Sequence, residues 1–351
     1  MLNYTVNTPD SEAFLAAAQR WDAIAKPLRS LGCLEDFISQ IAGVQGTADV
    51  CLEPRCGLIF CGDHGVVAQG VSQTDQSVTA LVARSIARQT SNVNLMASVS
   101  HTPVFAVDVG MVSDVADASV IRKKIRYGTA DISRDPAMTR AEAEAAVQAG
   151  IDTVREMKDR GYRLIALGEM GIGNTTSTAA ICCALLSMSV DEAVDRGAGL
   201  SDEGLVRKRM AVKRALEINS PDAGDPIDVL AKVGGLEICA MTGACLGGMT
   251  YRVPIVIDGV IVEAAALCAY RICPDVKPFM LATHMEHELP AVRIMDEIGL
   301  RPVIYADLAL GEGTGAVALL PLLDMGYRVY SGTHTFDGIG LKAYKEKGGR
   351  I

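Results

Sequence analysis

Short apolar runs alternate with helix-patterned stretches along most of this chain, and that alternation leaves few architectures open. Residues 57–61, 104–107, 163–167, 253–257, 279–282 and 303–305 read as buried strands. Residues 77–88, 140–160, 175–186, 203–218, 236–247, 261–271, 290–298 and 315–325 read as helices. Continuous apolar strands joined by helices predict an α/β fold, a Rossmann-like parallel sheet covered by helices on both faces. Two amphipathic helices, 11–25 and 34–42, come before the first core strand, with Pro27 as the break between them. Aromatic residues make up only 5% of the chain while 49% is hydrophobic, so the core is aliphatic and Ala/Gly-rich.

In such sheets ligands sit at the carboxyl ends of the strands. Directly after the strand at 163–167 comes GEMGIGNTTST, residues 168–178, leading into a helix. A strand, a Gly turn and a helix start aim several N–H groups at one point, with hydroxyls beside them. Gly171 and Gly173 let the backbone approach a ligand, since neither carries a Cβ. Two readings stand on spacing alone: a phosphate site, or an ordinary turn capped by Asn174 or Thr175.

The net charge of −9 argues against non-specific nucleic-acid binding but leaves room for a locally positive phosphate pocket. No run of about 18 apolar residues suggests a membrane span. The first residues lack the basic start and apolar core of a signal peptide, so the expected location is the cytoplasm. Most of the ten cysteines sit in apolar context and read as small buried hydrophobes. Cys51, Cys56 and Cys61 recur every five residues near His64, which is not a standard zinc spacing, and we assign no metal. His284 and His287 read as satisfied loop histidines, and Asp63-His64 as a structural turn.

The GEMGIGNTT stretch resembles the signature of nicotinate-nucleotide–dimethylbenzimidazole phosphoribosyltransferases, enzymes of cobamide lower-ligand assembly. Further segments follow in the family's order: Gly62-Asp-His-Gly-Val-Val67, Gly199-Leu-Ser-Asp-Glu-Gly-Leu205, Ala240-Met-Thr-Gly243, Asp258-Gly259 with Glu263-Ala-Ala-Ala-Leu267, and Leu310-Gly-Glu-Gly-Thr-Gly-Ala316. Together they span about residues 60 to 325. The resemblance implies three parts. Residues 1–50 give helices to a small helical domain, 51–325 form the α/β domain, and 326–351 return to the small one. It also implies a cytoplasmic dimer, of identical chains or with a paralogous chain, and no cofactor.

The implied reaction moves phosphoribose from nicotinate mononucleotide to an aromatic base. The leaving pyridinium departs as a neutral ring and needs no acid. The acceptor must lose a proton as it bonds to C1 of the ribose, so one general base is the minimal machinery. Glu312 matches the family's catalytic glutamate; by itself it could equally be a glutamate in an exposed Gly turn. Glu169 is a second candidate, as base, as ribose or water contact, or as a helix-dipole partner. The resemblance assigns Gly171, Gly173, Asn174, Thr175, Thr176 and Lys208 to the nucleotide, and counts Gly313, Thr314 and Gly315 among the substrate-binding residues. Read alone, Lys208 would be a solvated helix lysine in a cluster with Arg207 and Arg209.

The acceptor pocket is expected at Ser72, Leu81, Met170 and Glu286. Leu81 stands where relatives carry a polar residue, and Glu286 where a serine is common. A pocket lacking an amide partner discriminates less well for an azole nitrogen, so phenol or p-cresol is expected to enter besides benzimidazoles. Two rivals are a dinucleotide-dependent oxidoreductase and a non-catalytic paralogue paired with an active chain. Against the first, the glycines run G-x-x-G-x-G instead of G-x-G-x-x-G. A P-loop kinase is excluded by the missing G-x-x-x-x-G-K-[ST] motif.

Overall fold

A computed structural model describes residues 2–197 and 199–344. The elements, in chain order, are α1 (Ser11–Ala23), α2 (Cys33–Gln45), β1 (Arg55–Gly62), α3 (Ser77–Ala87), α4 (Asn92–Ser98), β2 (Val104–Gly110), β3 (Ile121–Arg122), α5 (Arg140–Asp159) and β4 (Leu164–Met170). There follow α6 (Asn174–Leu186), α7 (Val190–Ala193), α8 (Asp202–Asn219), α9 (Pro226–Val233), α10 (Leu236–Tyr251), β5 (Ile255–Val256), α11 (Val260–Ile272), β6 (Met280–Leu281), α12 (Leu289–Ile298) and α13 (Thr314–Gly332).

The strands form one sheet in the order β3-β2-β1-β4-β5-β6, with every pairing parallel. All eight residues of β1 are buried, as expected where helices cover both faces. Alternate residues serve separate cores. Leu58, Phe60, Ile165 and Leu167 pack with α5, α6, α10 and α11. Ile59, Cys61, Leu164 and Ala166 pack with α2, α3, α4 and α13. Cys56 and Cys61 lie five apart on β1, an odd spacing that sends their side chains to opposite faces. Cys51 is exposed, and its thiol meets the Glu53 carbonyl, so these three cysteines do not converge.

The tightest crossing is α5 on α10. A Cβ on Gly243 would sit 1.8 Å from the Val147 carbonyl oxygen, and one on Gly150 would sit 1.8 Å from that of Ala240. Only glycine permits that approach. A capping box, Thr139 with Glu142, starts α5.

The N-terminal helices meet the far end of the chain. Trp21 packs on Tyr330 with ring centroids 5.0 Å apart and the planes tilted by 56°; the Tyr330 hydroxyl donates to the Ala48 carbonyl at 2.7 Å, and Ile24 bridges Thr335. Helix α13 runs unbroken across residue 325, where the sequence reading puts a boundary. The end of the segment assigned to the small domain, 345–351, lies outside the described residues.

Residues 303–305 form no strand. Among the described residues they make only one bridge, between His284 and Ile304. The N–H groups of Val303 and Ile304 both go to the Thr283 carbonyl, so the ladder stops there. The short β3 and helices α4, α7 and α9 have no counterpart in the sequence reading.

Candidate active site at the strand switch point

From β1 the sheet grows through β2 and β3 on one side, and through β4, β5 and β6 on the other. The crevice outside the carboxyl ends of β1 and β4 is where such a topology places a ligand. Three loops meet there: Gly62-Asp63-His64 after β1, the Gly turn after β4, and the turn leading into α13.

The turn after β4 is held tightly. A Cβ on Gly171 would lie 2.5 Å from the Gly62 carbonyl oxygen, and Gly173 has φ +99°. Helix α6 then starts with no side-chain cap, so neither Asn174 nor Thr175 acts as the cap offered as the ordinary reading. Asn174 instead donates its amide to the Glu169 carboxylate. The hydroxyls of Thr176 and Thr178 are buried without a partner.

Glu169 is buried at the end of β4. Burial first, then the nearby charges of Glu237 and Asp258, push its carboxyl up to about 8. It also accepts the backbone N–H of Glu312. That contact joins the α6 turn to the α13 turn. Glu312 has φ +58° between Gly311 at +79° and Gly313 at +81°, three consecutive left-handed residues. A side chain in that conformation is strained, and such strain concentrates at functional sites. The Glu312 Oε2 is buried with no hydrogen-bond partner, and burial and then Asp258 raise its pKa.

Asp258, just past β5, holds the start of α13. Its two oxygens accept the N–H groups of Gly313 (2.8 Å) and Ala316 (3.0 Å). Burial pushes Asp258 up to about 6 despite those bonds. Gly168 and Gly315 make room for the turn: a Cβ on the first would meet the Gly313 nitrogen at 2.4 Å, and on the second His284 Nδ1 at 2.1 Å. The Thr314 hydroxyl donates back to the Gly311 carbonyl at 2.8 Å. Sequence reasoning gives Asp258 no role of its own. Its signal is an apolar run ending in Asp-Gly.

Lys208 is not solvated. It is 2% exposed on α8, and its ammonium donates to Thr175 Oγ1 (3.0 Å) and the Asp195 carbonyl (2.9 Å). Among the described residues no carboxylate pairs with it within 4 Å. Burial lowers it to about 8. A buried cation at the start of α6, with Glu288 and Asp195 near it but no carboxylate of the described residues in contact, suits an anionic ligand.

The expected acceptor residues are more scattered. Met170 ends β4, buried, and Ser72 lies half-buried in the loop before α3. Leu81 is 54% exposed on α3, two residues past Thr79, whose hydroxyl donates to Asp63 and accepts the Ile172 N–H. Glu286 is tied to the start of α11, accepting the Val260 N–H at 3.1 Å, with His284 Nε2 at 3.4 Å. His284 is buried and bonded to Thr283, whereas His287 is exposed and paired with Asp307. A cavity of about 700 Å³ lies elsewhere, lined by Phe14, Phe37, Met280 and Val303, and includes none of the expected site residues.

Comparison with known proteins decides the family. A family model described as phosphoribosyltransferase matches residues 6–340. This chain belongs to the nicotinate-nucleotide–dimethylbenzimidazole phosphoribosyltransferase family. The enzyme of that name from Ruminiclostridium cellulolyticum is 40% identical over 95% of both chains. The one from Desulforudis audaxviator is 40% identical over 96% of both. The crystal structure of CobT from Thermus thermophilus superposes with a TM-score of 0.89 at 39% identity, covering 94% of this chain and 99% of that one. Neither the oxidoreductase reading nor the non-catalytic-paralogue reading finds support. The sheet has the strand order of dinucleotide-binding folds, and a shared fold does not carry a shared chemistry.

Proposed function

We propose that this enzyme transfers phosphoribose from nicotinate mononucleotide to 5,6-dimethylbenzimidazole or a related aromatic base. The products are an α-ribosyl phosphate and nicotinate, with inversion at C1. One observation carries the reading. Glu312 is held in a left-handed turn with a buried, unpartnered carboxylate oxygen, one backbone hydrogen bond away from the α6 turn.

The donor's phosphate and ribose sit at Gly171, Gly173, Asn174, Thr175 and Thr176, with Lys208 supplying the positive charge. The Gly313-Thr314-Gly315 turn closes the site from the α13 side. The acceptor nitrogen attacks C1, the C1–pyridinium bond breaks, and nicotinate leaves as a neutral ring. Glu312 takes the acceptor's proton, and its raised pKa brings it nearer to a working base. Glu169, pushed up to about 8, is protonated at neutral pH and serves as a neutral scaffold between Asn174 and the Glu312 backbone. Ser72, Leu81, Met170 and Glu286 shape the acceptor side, and the loss of an amide at Leu81 admits phenols as well.

The small helical domain, the dimer and the cytoplasmic location belong to the same proposal. Contacts between α1, α2 and α13 support the first. No described helix is long and apolar enough to cross a membrane.

The test is nicotinate release from nicotinate mononucleotide with dimethylbenzimidazole and with phenol in parallel, products identified by mass. Turnover with the benzimidazole alone supports the transfer and removes the phenol extension. Turnover with both supports the whole reading. Turnover with neither overturns it for this chain acting alone.

A further inference from the structure

The first turn of α6 has no side-chain cap, yet the proposed donor site depends on where that turn lies. The Asn174–Glu169 and Lys208–Thr175 bonds hold its first two residues, and a further contact anchors the residue that ends the turn. Ser177, the fourth residue of α6, accepts or donates through Oγ at 2.9 Å from His64 Nδ1. The other ring nitrogen, Nε2, lies 2.6 Å from Glu237 Oε1. All three side chains are fully buried. The set looks like a hydrolase triad, but Ser177 Oγ is sealed inside the protein and no substrate can reach it. Its chemistry is therefore not nucleophilic.

We propose that Glu237 and His64 are positioning residues, a buried relay that holds the first turn of α6 against the ends of β1 and β4 and so presents the donor site. The inference rests on the reading of that turn as the donor's phosphate and ribose site. Glu237 as a carboxylate only accepts, so Nε2 of His64 carries the proton facing it. Nδ1 meets the Ser177 hydroxyl, and the two contacts together fix the orientation of the ring. The hydroxyl spent on His64 is not free to bond back to the carbonyl four residues earlier, which would bend the helix start.

Packing makes the relay stiff. A Cβ on Gly62 would lie 2.7 Å from Glu237 Oε2, and one on Gly171 3.0 Å from Oε1. A Cβ on Gly235 would lie 2.3 Å from His64 Cε1, and one on Gly173 3.0 Å from His64 Cβ. Four glycines from three loops thus close around two side chains. His64 is tied in turn: its carbonyl accepts from the Gln76 side chain at 2.9 Å, and its neighbour Asp63 accepts from Thr79 and the Val112 N–H. A shift of the ring would move the Gly171–Gly173 turn, and small misplacements of a reactant are costly.

The experiment compares S177A, E237A, E237Q and K208M with the wild type. Nicotinate mononucleotide affinity is measured by calorimetry, KM for donor and for dimethylbenzimidazole by steady-state kinetics. S177A and E237A should each weaken donor affinity about tenfold, with acceptor KM changed less than about twofold. E237Q keeps an acceptor for His64 Nε2 and should stay within about twofold of wild type on both. If E237A does not fold, S177A decides, since it removes one oxygen only. Unchanged donor affinity in S177A, with K208M impaired, overturns the relay and leaves the donor site intact. An E237Q as defective as E237A would also overturn it, because charge and not orientation would then be acting. A wild type that does not bind the donor, or a K208M that binds it as the wild type does, overturns the donor-site reading first.

Discussion

Lys208 is a charge that the fold holds at a cost. Burial lowers its ammonium from 10.5 to about 8, which corresponds to about 3 kcal/mol. Between those two values the unfolded chain keeps a proton that the folded chain has released. Stability therefore rises with pH across that window. The penalty is present in full below about pH 8 and fades toward pH 10.5. Replacing the lysine with methionine, Lys208→Met, keeps most of the volume and removes the charge. The two lost hydrogen bonds, to Thr175 and the Asp195 carbonyl, return about 1–2 kcal/mol. The net expectation is an unliganded variant more stable than wild type at pH 7 by about 1–2 kcal/mol. For a chain of this size that raises the Tm by about 2 °C. At pH 10 the gain should vanish. In the same variant the dissociation constant for nicotinate mononucleotide should rise about 10- to 100-fold, the value of a charge-assisted bond to phosphate. Thermal melting at pH 7 and pH 10, with calorimetric titration of the donor, reads both effects. A lower Tm at pH 7 would refute the reasoning, since it would mean that the fold gives the cation a stabilising partner. Unchanged donor affinity would remove the phosphate role.

Glu312→Gln should leave donor affinity within about twofold and cut kcat by roughly a thousandfold, as loss of a general base does; near-normal turnover would take Glu312 out of that role. Glu169 is raised from 4.5 to about 8, so the folded chain keeps a proton that the unfolded one releases, and stability falls as pH rises through that window. Glu169→Gln should make that fall shallower than in the wild type between pH 5 and 8, with the buried Asp258 and the half-buried Glu288 keeping the rest of it; parallel profiles would contradict the assignment. Gly243→Ala places a Cβ 1.8 Å from the Val147 carbonyl and should cost more than about 3 kcal/mol by prising α5 from α10. Soluble yield and melting check this, and a Tm within about 2 °C of wild type would show that the crossing can relax.

Much of this was legible in the chain itself. Apolar runs with helices between them dictate a parallel sheet covered on both faces, because a strand buried on two sides cannot alternate. The paired glycines at 171 and 173, and at 311 and 313, mark turns where a Cβ would collide or the backbone turns left-handed. The ordered motifs point to the family on their own. Other features depend on distance in space, which a linear pattern does not encode. Residues 303–305 look like a strand, but whether a strand forms depends on which carbonyl their N–H groups meet, and two meet the same one. Lys208 looks solvated beside Arg207 and Arg209, yet a helix face is exposed or buried only by what packs on it, and here Thr175 and the Asp195 carbonyl close over the ammonium. Asp258 and Glu237 are single acidic residues at segment ends. Folding set the first on the start of α13, 55 residues on from it at Gly313, and the second on His64, 173 residues away. Layers, turns and family follow from local pattern along the chain. The tertiary structure decided which carboxyls are buried together, and hence which ones hold a proton, because desolvation depends on the whole surrounding shell and not on neighbours in the chain.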